Sequence, residues 1–182
     1  MSRFEVRTAR LVLRRWRASD RDPFAVMNAD PEVMRYFPAP LDRTASDALA
    51  ERIDGRFDAL GYGLWALEVA ESRDFIGFTG LNPMPEGVPG EGGVEVGWRL
   101  AAQAWGHGYA TEAARAALTF GFDVAGLPEI HSITAVANLA SQRVMQRIGM
   151  TYADEFDHPK LASDSPLRRH VRYTITAPSP PR

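Results

Sequence analysis

Gly106-His107-Gly108 lies between a segment that reads as a strand and one that reads as a helix. Glycines let a backbone curl until successive N–H groups point at one anion, and a helix start adds free N–H groups and partial positive charge. The chemistry such a loop supplies is phosphate binding. A bare Gly-X-Gly serves equally as a plain strand-to-helix turn, so its neighbours must decide. A dinucleotide fingerprint, Gly-X-Gly-X-X-Gly, needs glycine at position 111, where Thr111 stands. The ribose-binding acid expected about 20 residues further on would have to be Glu129, which falls just before a strand rather than at a strand's end. A Walker loop needs Gly-Lys-Ser/Thr, which the chain lacks.

The rest of the chemical inventory is narrow. No cysteine is present, which excludes disulfides, thiolate metal sites and a cysteine nucleophile. The four histidines, His107, His131, His158 and His170, match no metal spacing, so no metal is expected. All four read first as structural or surface residues, with His107 also placed to touch whatever the glycine loop binds. With 182 residues and a formal net charge of -2, the chain suits one domain without bulk affinity for nucleic acid or anionic membranes. Its start lacks the apolar core of a signal peptide, and no apolar run approaches the ~20 residues of a membrane span. A cytoplasmic protein is therefore expected.

Periodicity supplies the elements that must hold these residues. Leu11–Trp16 reads as a strand, followed by a helix capped by Ser19 and reaching about Asn28. Pro31 opens a short second helix through Phe37. Ala45, Leu49, Ile53, Phe57 and Leu60 recur at helical spacing from Thr44, and Gly61 ends that helix. Strands at 63–70 and 75–81 turn at Ser72-Arg73-Asp74, and a Pro- and Gly-rich loop, 82–93, leads to a strand at Val94–Leu100. A helix starts near 108–111 with a stripe of Ala110, Ala114, Ala117, Leu118 and Gly121. A strand at 131–137, a helix at 140–148 closed by Gly149, and strands at 150–157 and 169–176 complete the order. That order gives a single α+β or α/β domain over residues 1–176, with a Pro-rich flexible tail at 177–182.

Gln103-Ala104-Trp105-Gly106-His107-Gly108 resembles the Gln/Arg-X-X-Gly-X-Gly/Ala signature of the GNAT acetyltransferase superfamily. Its extension through Tyr109-Ala110-Thr111-Glu112-Ala113 is similar to the ribosomal-protein N-terminal acetyltransferase branch, the RimJ/RimL type. Asn138-Leu139-Ala140-Ser141-Gln142-Arg143, continuing to Gly149-Met150, resembles a second segment of that branch, and Thr8-Ala9-Arg10-Leu11-Val12-Leu13-Arg14 a third. The resemblance implies an α+β GNAT fold: a mixed, mostly antiparallel sheet of about seven strands, splayed at the cofactor site and flanked by about four helices. It also implies acetyl-CoA as co-substrate and an amine as acceptor.

In this family the pantetheine arm pairs, as an added strand would, with the strand before the phosphate loop. Carried over, Val96, Trp98 and Leu100 would face it with backbone groups. Gly106, His107, Gly108, Tyr109, Ala110 and Thr111 would hold the pyrophosphate, with Gln103 opening the signature. Asn138 would bond the pantetheine, and Arg143 either reaches a phosphate or lies solvated on its helix. Glu112 suits the helix dipole and should point away from the phosphate.

Acetyl transfer from a thioester to an amine needs a base for the amine, a donor for the oxyanion and an acid for the leaving thiolate, whose thiol has a pKa of about 8.5. A backbone N–H near Val96–Trp98 could be the donor. Glu95 is the first candidate base, because it shares a strand face with Gly97, which leaves room; an exposed, paired glutamate is the alternative. Glu155 is a weaker second candidate for a carboxylate in the acceptor pocket. The resemblance makes Ser141 the candidate acid, although it could equally cap its helix. Many superfamily members carry a tyrosine acid where Met145 stands here. Trp16, Phe37 and the segment 31–60 fall where relatives build the acceptor rim, and Asp30, Glu32 and Asp42 there either attract a cationic amine or form a solvated face. The expected function is acetyl-CoA-dependent transfer to a primary amine, on a protein N-terminus or a small molecule. A catalytically silent acyl-CoA-binding or sensor domain is the competing reading, and exposed strand edges leave a homodimer open.

Overall fold

The structure is a computed structural model that describes residues 4–178, so most of the expected tail lies outside the described residues. Eight strands form: β1 (Val6–Arg7), β2 (Leu11–Arg14), β3 (Leu64–Val69), β4 (Phe75–Pro83), β5 (Val94–Leu100), β6 (Glu129–Ala135), β7 (Thr151–Asp157) and β8 (Arg169–Thr176). Four α-helices accompany them: α1 (Arg21–Ala29), α2 (Arg43–Leu60), α3 (Tyr109–Asp123) and α4 (Leu139–Arg147). The sheet order is β1-β2-β3-β4-β5-β6-β8-β7. Every neighbouring pair is antiparallel except β5 and β6. The α+β class with a mixed, mostly antiparallel sheet is borne out, with one strand more than expected. That strand, β1, has two residues, too few for alternation to reveal it.

Local chemistry explains where elements start and stop. The Asp42 carboxylate accepts the Ala45 N–H at 2.8 Å and caps α2, and Gly61 at φ +77° ends it. Ser19 does not cap α1. It sits in a 3-10 turn, 18–20, in which the Asp20 carboxylate accepts the Arg17 N–H at 2.7 Å. No helix forms at 31–37, which is a run of turns. There the Asp30 carboxylate takes the Glu32 N–H at 2.8 Å, a local bond that competes with helix, and Pro38 disfavours helical geometry at Phe37.

Alternation along β5 divides the core. Val94, Val96 and Leu100 pack with Ala113, Ala114 and Ala117 of α3 on one face of the sheet. A Cβ at Gly121 of α3 would lie 2.6 Å from Ile130 Cδ1, so glycine lets helix and sheet approach without displacing that side chain. Phe24, Met27 and Ile53, from α1 and α2, pack against Leu64 and Phe78 on the opposite face.

A buried charge network pins α1 to that face. The Arg14 guanidinium donates to both Asp20 carboxylate oxygens at 2.8 Å and to Glu68 at 2.7 Å, and all three residues are at most 5% exposed. Burial alone would raise the Glu68 carboxyl, but bonds from Arg14 and Arg73 outweigh it and hold it below the usual range. Removing Arg14 strips Asp20 of its buried ion pair and takes one of three arginine partners from Glu68. Arg14→Leu should therefore cost about 3–5 kcal/mol of stability in urea unfolding; a loss too small to measure would contradict this role.

Candidate active site

β5 and β6 meet at one bridge, Glu95 opposite His131, and then diverge. The Ala101 N–H donates to the Ile76 carbonyl at 3.0 Å. With a two-residue period, the ladder turns the backbone of Glu95, Gly97 and Arg99 toward β4, and that of Val96, Trp98 and Leu100 toward the gap. Two of the gap-facing carbonyls are already engaged. Ser132 Oγ donates to Val96 O and Trp105 Nε1 to Leu100 O, each at 2.9 Å. Trp98 is thus left with both of its backbone polar groups directed at the opening.

The glycine loop lies at the end of β5. Gly106 (φ +79°) and Gly108 (φ +78°) are both left-handed, and Gly108 is the N-cap of α3. The first helical bond runs from Glu112 N–H to Gly108 O at 3.1 Å, so the N–H groups of Tyr109, Ala110 and Thr111 precede it and point out along the axis. A Cβ at Gly106 would meet no atom within 4 Å, so the hollow is open and the demand for glycine is conformational. Arg10 keeps it receptive to an anion. Its guanidinium accommodates the His107 carbonyl at 2.9 Å and pairs with Glu112 at 2.7 Å. Thr8 Oγ1 and the Arg10 N–H also donate to Glu112; burial works against ionisation, but these bonds hold the carboxyl low. Glu112 thereby faces Thr8 and Arg10. The His107 ring stacks on Tyr109 at 5.4 Å. Gln103 is exposed and lines a groove with Arg14, Arg73 and Phe75, which the loop residues His107 and Tyr109 also border.

Across the gap, Asn138 caps α4. Its Oδ1 accepts the Ser141 N–H at 3.2 Å, and its Nδ2 donates to Thr134 Oγ1 at 3.0 Å and Ser141 Oγ at 3.1 Å. The Asn138 amide is therefore occupied within the protein, while Ser141 Oγ accepts that bond and keeps its own proton to donate. Met145 is 1% exposed in the core, so its place offers no acid. Arg143 is exposed on α4 and makes no ion pair among the described residues.

Glu95 occupies the α1–α2 face of β5. Asn82, directly opposite on β4, donates to it at 3.2 Å. Burial pushes the Glu95 carboxyl up to about 7, against the Asn82 bond and the positive charge of Arg56. Arg56 of α2 is itself held below its usual value by burial and by Arg52. Asn82, Arg56, Ser132 and Arg10 were not singled out as site residues from sequence. Each acts through a partner at least 36 positions away or across the loop 84–93, which hides the β4–β5 register.

Other candidates are engaged elsewhere. Glu155, on the edge strand β7, pairs with Arg169 at 3.1 Å. His131 is buried beneath Gly90 and Gly93, and His158 and His170 lie together, 4.9 Å apart, beside Phe156; burial lowers the pKa of all three. Asp30 and Asp42 make the local bonds described above, and Glu32 faces Arg35 at 3.9 Å. Trp16 is partly buried, packs on Phe24 and donates to Leu64 O at 2.8 Å. Among the described residues, no helix is long and apolar enough to cross a membrane, and no cluster of three or more His, Asp or Glu could hold a metal ion.

A protein-family model described as an acetyltransferase (GNAT) domain matches residues 10–151. The Bacillus subtilis protein YkkB is 31% identical over 137 residues, covering 74% of this chain and 78% of its own. An Aspergillus fumigatus FsC-acetyl coenzyme A-N(2)-transacetylase is 30% identical over 177 residues, covering 93% of this chain and 74% of its own. The crystal structure of a GNAT-family acetyltransferase from Bacillus anthracis superposes with a TM-score of 0.79 at 22% identity, covering 94% of this chain and 98% of the other.

The raised Glu95 carboxyl has a measurable thermodynamic consequence. A folded-state value above the unfolded one means that its protonation favours folding. That contribution is complete below the ordinary carboxyl range and is lost as pH rises through about 7. Glu95→Gln should remove this pH dependence, leaving the variant more stable than the parent at pH 8 by on the order of 2 kcal/mol in chemical denaturation. Parallel stability curves from pH 5 to 8 would contradict the assignment.

Proposed function

The chain belongs to the GNAT acetyltransferase family, and on that premise we propose that it transfers an acetyl group from acetyl-CoA directly to a primary amine. The observation that carries this reading is an arrangement on one strand: β5 leads into an anion-receptive helix start and also bears a carboxyl group poised near neutrality. The proposed unit is one acetyltransferase domain over residues 1–176. The three resembling segments support assignment to the RimJ/RimL-type branch, whose name does not define the acceptor.

The residues present fit acetyl-CoA. The N–H groups from Gly106 to Thr111 would hold its pyrophosphate, and the backbone of Trp98 would pair with its pantetheine arm. Bound there, the thioester supplies an activated acetyl carbonyl. Transfer forms a C–N bond and breaks the C–S bond. Glu95 takes one amine proton, directly or through water; a base with a value near the working pH is both largely available and adequately basic. Ser141 gives a proton toward the sulfur, held in position by Asn138, whose role becomes positioning rather than contact with pantetheine.

Glu95→Gln should lower kcat/KM roughly 10²–10⁴-fold, and the parent's rate should fall below pH about 7 as Glu95 protonates. Full turnover by this variant with an unchanged pH profile would rule out Glu95 as the base. Gly108→Ala places alanine at φ +78° and should raise KM for acetyl-CoA by about tenfold, read from initial rates, since a left-handed alanine costs about 1–2 kcal/mol. An unchanged KM would remove the loop from the donor site.

A further inference from the structure

The partnering of arginines in this protein is uneven. Arg10 faces Glu112, Arg14 faces Asp20 and Glu68, Arg15 faces Asp54 and Asp58, and Arg172 faces Asp154. Arg99 of β5 has no carboxylate in ion-pair range among the described residues. It is nonetheless partly buried and closely held. Its Nη1 donates to Asn28 Oδ1 at 2.6 Å, and its guanidinium carbon lies 4.0 Å from the Phe37 ring centre and 5.4 Å from that of Phe78. Its Nε is shielded from solvent without an acceptor. Burial alone acts on the group, lowering it to about 10, so it stays charged at neutral pH. A desolvated cation without a counter-charge is costly to keep unless something binds it.

The β4–β5 register shows what lies beside it. Asn82 stands opposite Glu95, Gly80 opposite Gly97, and Phe78 opposite Arg99, all on the α1–α2 face. Between the acid and the cation the floor consists of two glycines and carries no side chain. A Cβ built on Gly97 meets no atom within 4 Å, so the space above it is open. At about 3.3 Å per residue, the backbone positions of Glu95 and Arg99 are about 13 Å apart.

We propose that the acceptor is a primary amine that also carries a carboxylate, with Arg99 holding the carboxylate while Glu95 takes the amine proton. This rests on the reading of Glu95 as the base. A guanidinium whose plane is fixed by aromatic contacts and whose Nε–H lacks an acceptor suits a carboxylate. Arg56, near Glu95, adds a second positive charge to the same face, which disfavours polyamines. The acids expected to attract a cationic amine, Asp30, Glu32 and Asp42, are spent on local contacts.

The test uses the full chain with acetyl-CoA and two matched panels, the free amino acids and their α-carboxamides. Initial rates are measured alongside thermal stabilisation of the coenzyme A-loaded protein. At least one acid should exceed its own amide tenfold or more in kcat/KM, mainly through KM. That preference should fall below threefold in Arg99→Gln, with a partial return in Arg99→Lys. If Arg99 were only structural, Arg99→Gln would lower the melting temperature; relief of an unpaired cation predicts no loss. Amides or diamines turned over as well as the acids would overturn the proposal and leave acetyl transfer standing. Stabilisation by acids, lost in Arg99→Gln, without turnover of any amine would keep the carboxylate site and defeat the acetyltransfer reading. Absence of both turnover and stabilisation with every acid would also overturn the proposal.

Discussion

The parting of β5 from β6 is the constraint on which the rest of this structure depends. A parallel pair that stayed hydrogen-bonded along its length would leave no backbone available to a ligand. Here pairing is confined to Glu95 and His131, and Ser132 closes the breach by taking the Val96 carbonyl. Beyond that point the Trp98 backbone faces an opening, with α3 beginning at one side and α4 at the other. The side-chain bond from Trp105 to Leu100 ties the end of β5 to the glycine loop and so fixes the loop relative to the opening.

Charge placement follows the same division. On the donor side, Arg10 draws Glu112 away from the helix start and satisfies a loop carbonyl, leaving N–H groups to face an anion. On the acceptor side, the buried set of Arg14, Asp20 and Glu68 is balanced with Arg17 and Arg73, which also pair with Glu68, and works as scaffold. Glu95 and Arg99 are the contrasting pair. One is an acid raised by burial toward neutrality, the other a cation with no carboxylate partner among the described residues, and both lie on the face that α1 and α2 enclose. Perturbed groups converging on an open floor are the pattern expected of a reaction site rather than of a core.

Much of the donor half was legible in the sequence, because it is local. The glycine loop and the helix it opens lie within a few residues, where conformation and helix ends are dictated by residue type. The acceptor half was not, because it is assembled by register. Nothing in the sequence places Asn82 opposite Glu95 or Gly80 opposite Gly97 until the loop between β4 and β5 is closed. The expected helix at 31–37 failed for a related reason: Pro31 can open a helix, but the Asp30 side chain and Pro38 favour turns, and the resulting loop carries Phe37 onto Arg99. Asn138 had a role assigned by resemblance alone, and the structure shows its amide already committed to Thr134 and Ser141.

The most direct test of the account is a crystal structure of the full chain with coenzyme A. The pyrophosphate should lie on the N–H groups between Gly106 and Thr111, and the pantetheine amide on the Trp98 backbone in the gap between β5 and β6. Its thiol should end near Glu95 and Ser141. Coenzyme A seated instead in the groove formed by Arg14, Arg73 and Gln103, with the gap empty, would contradict it.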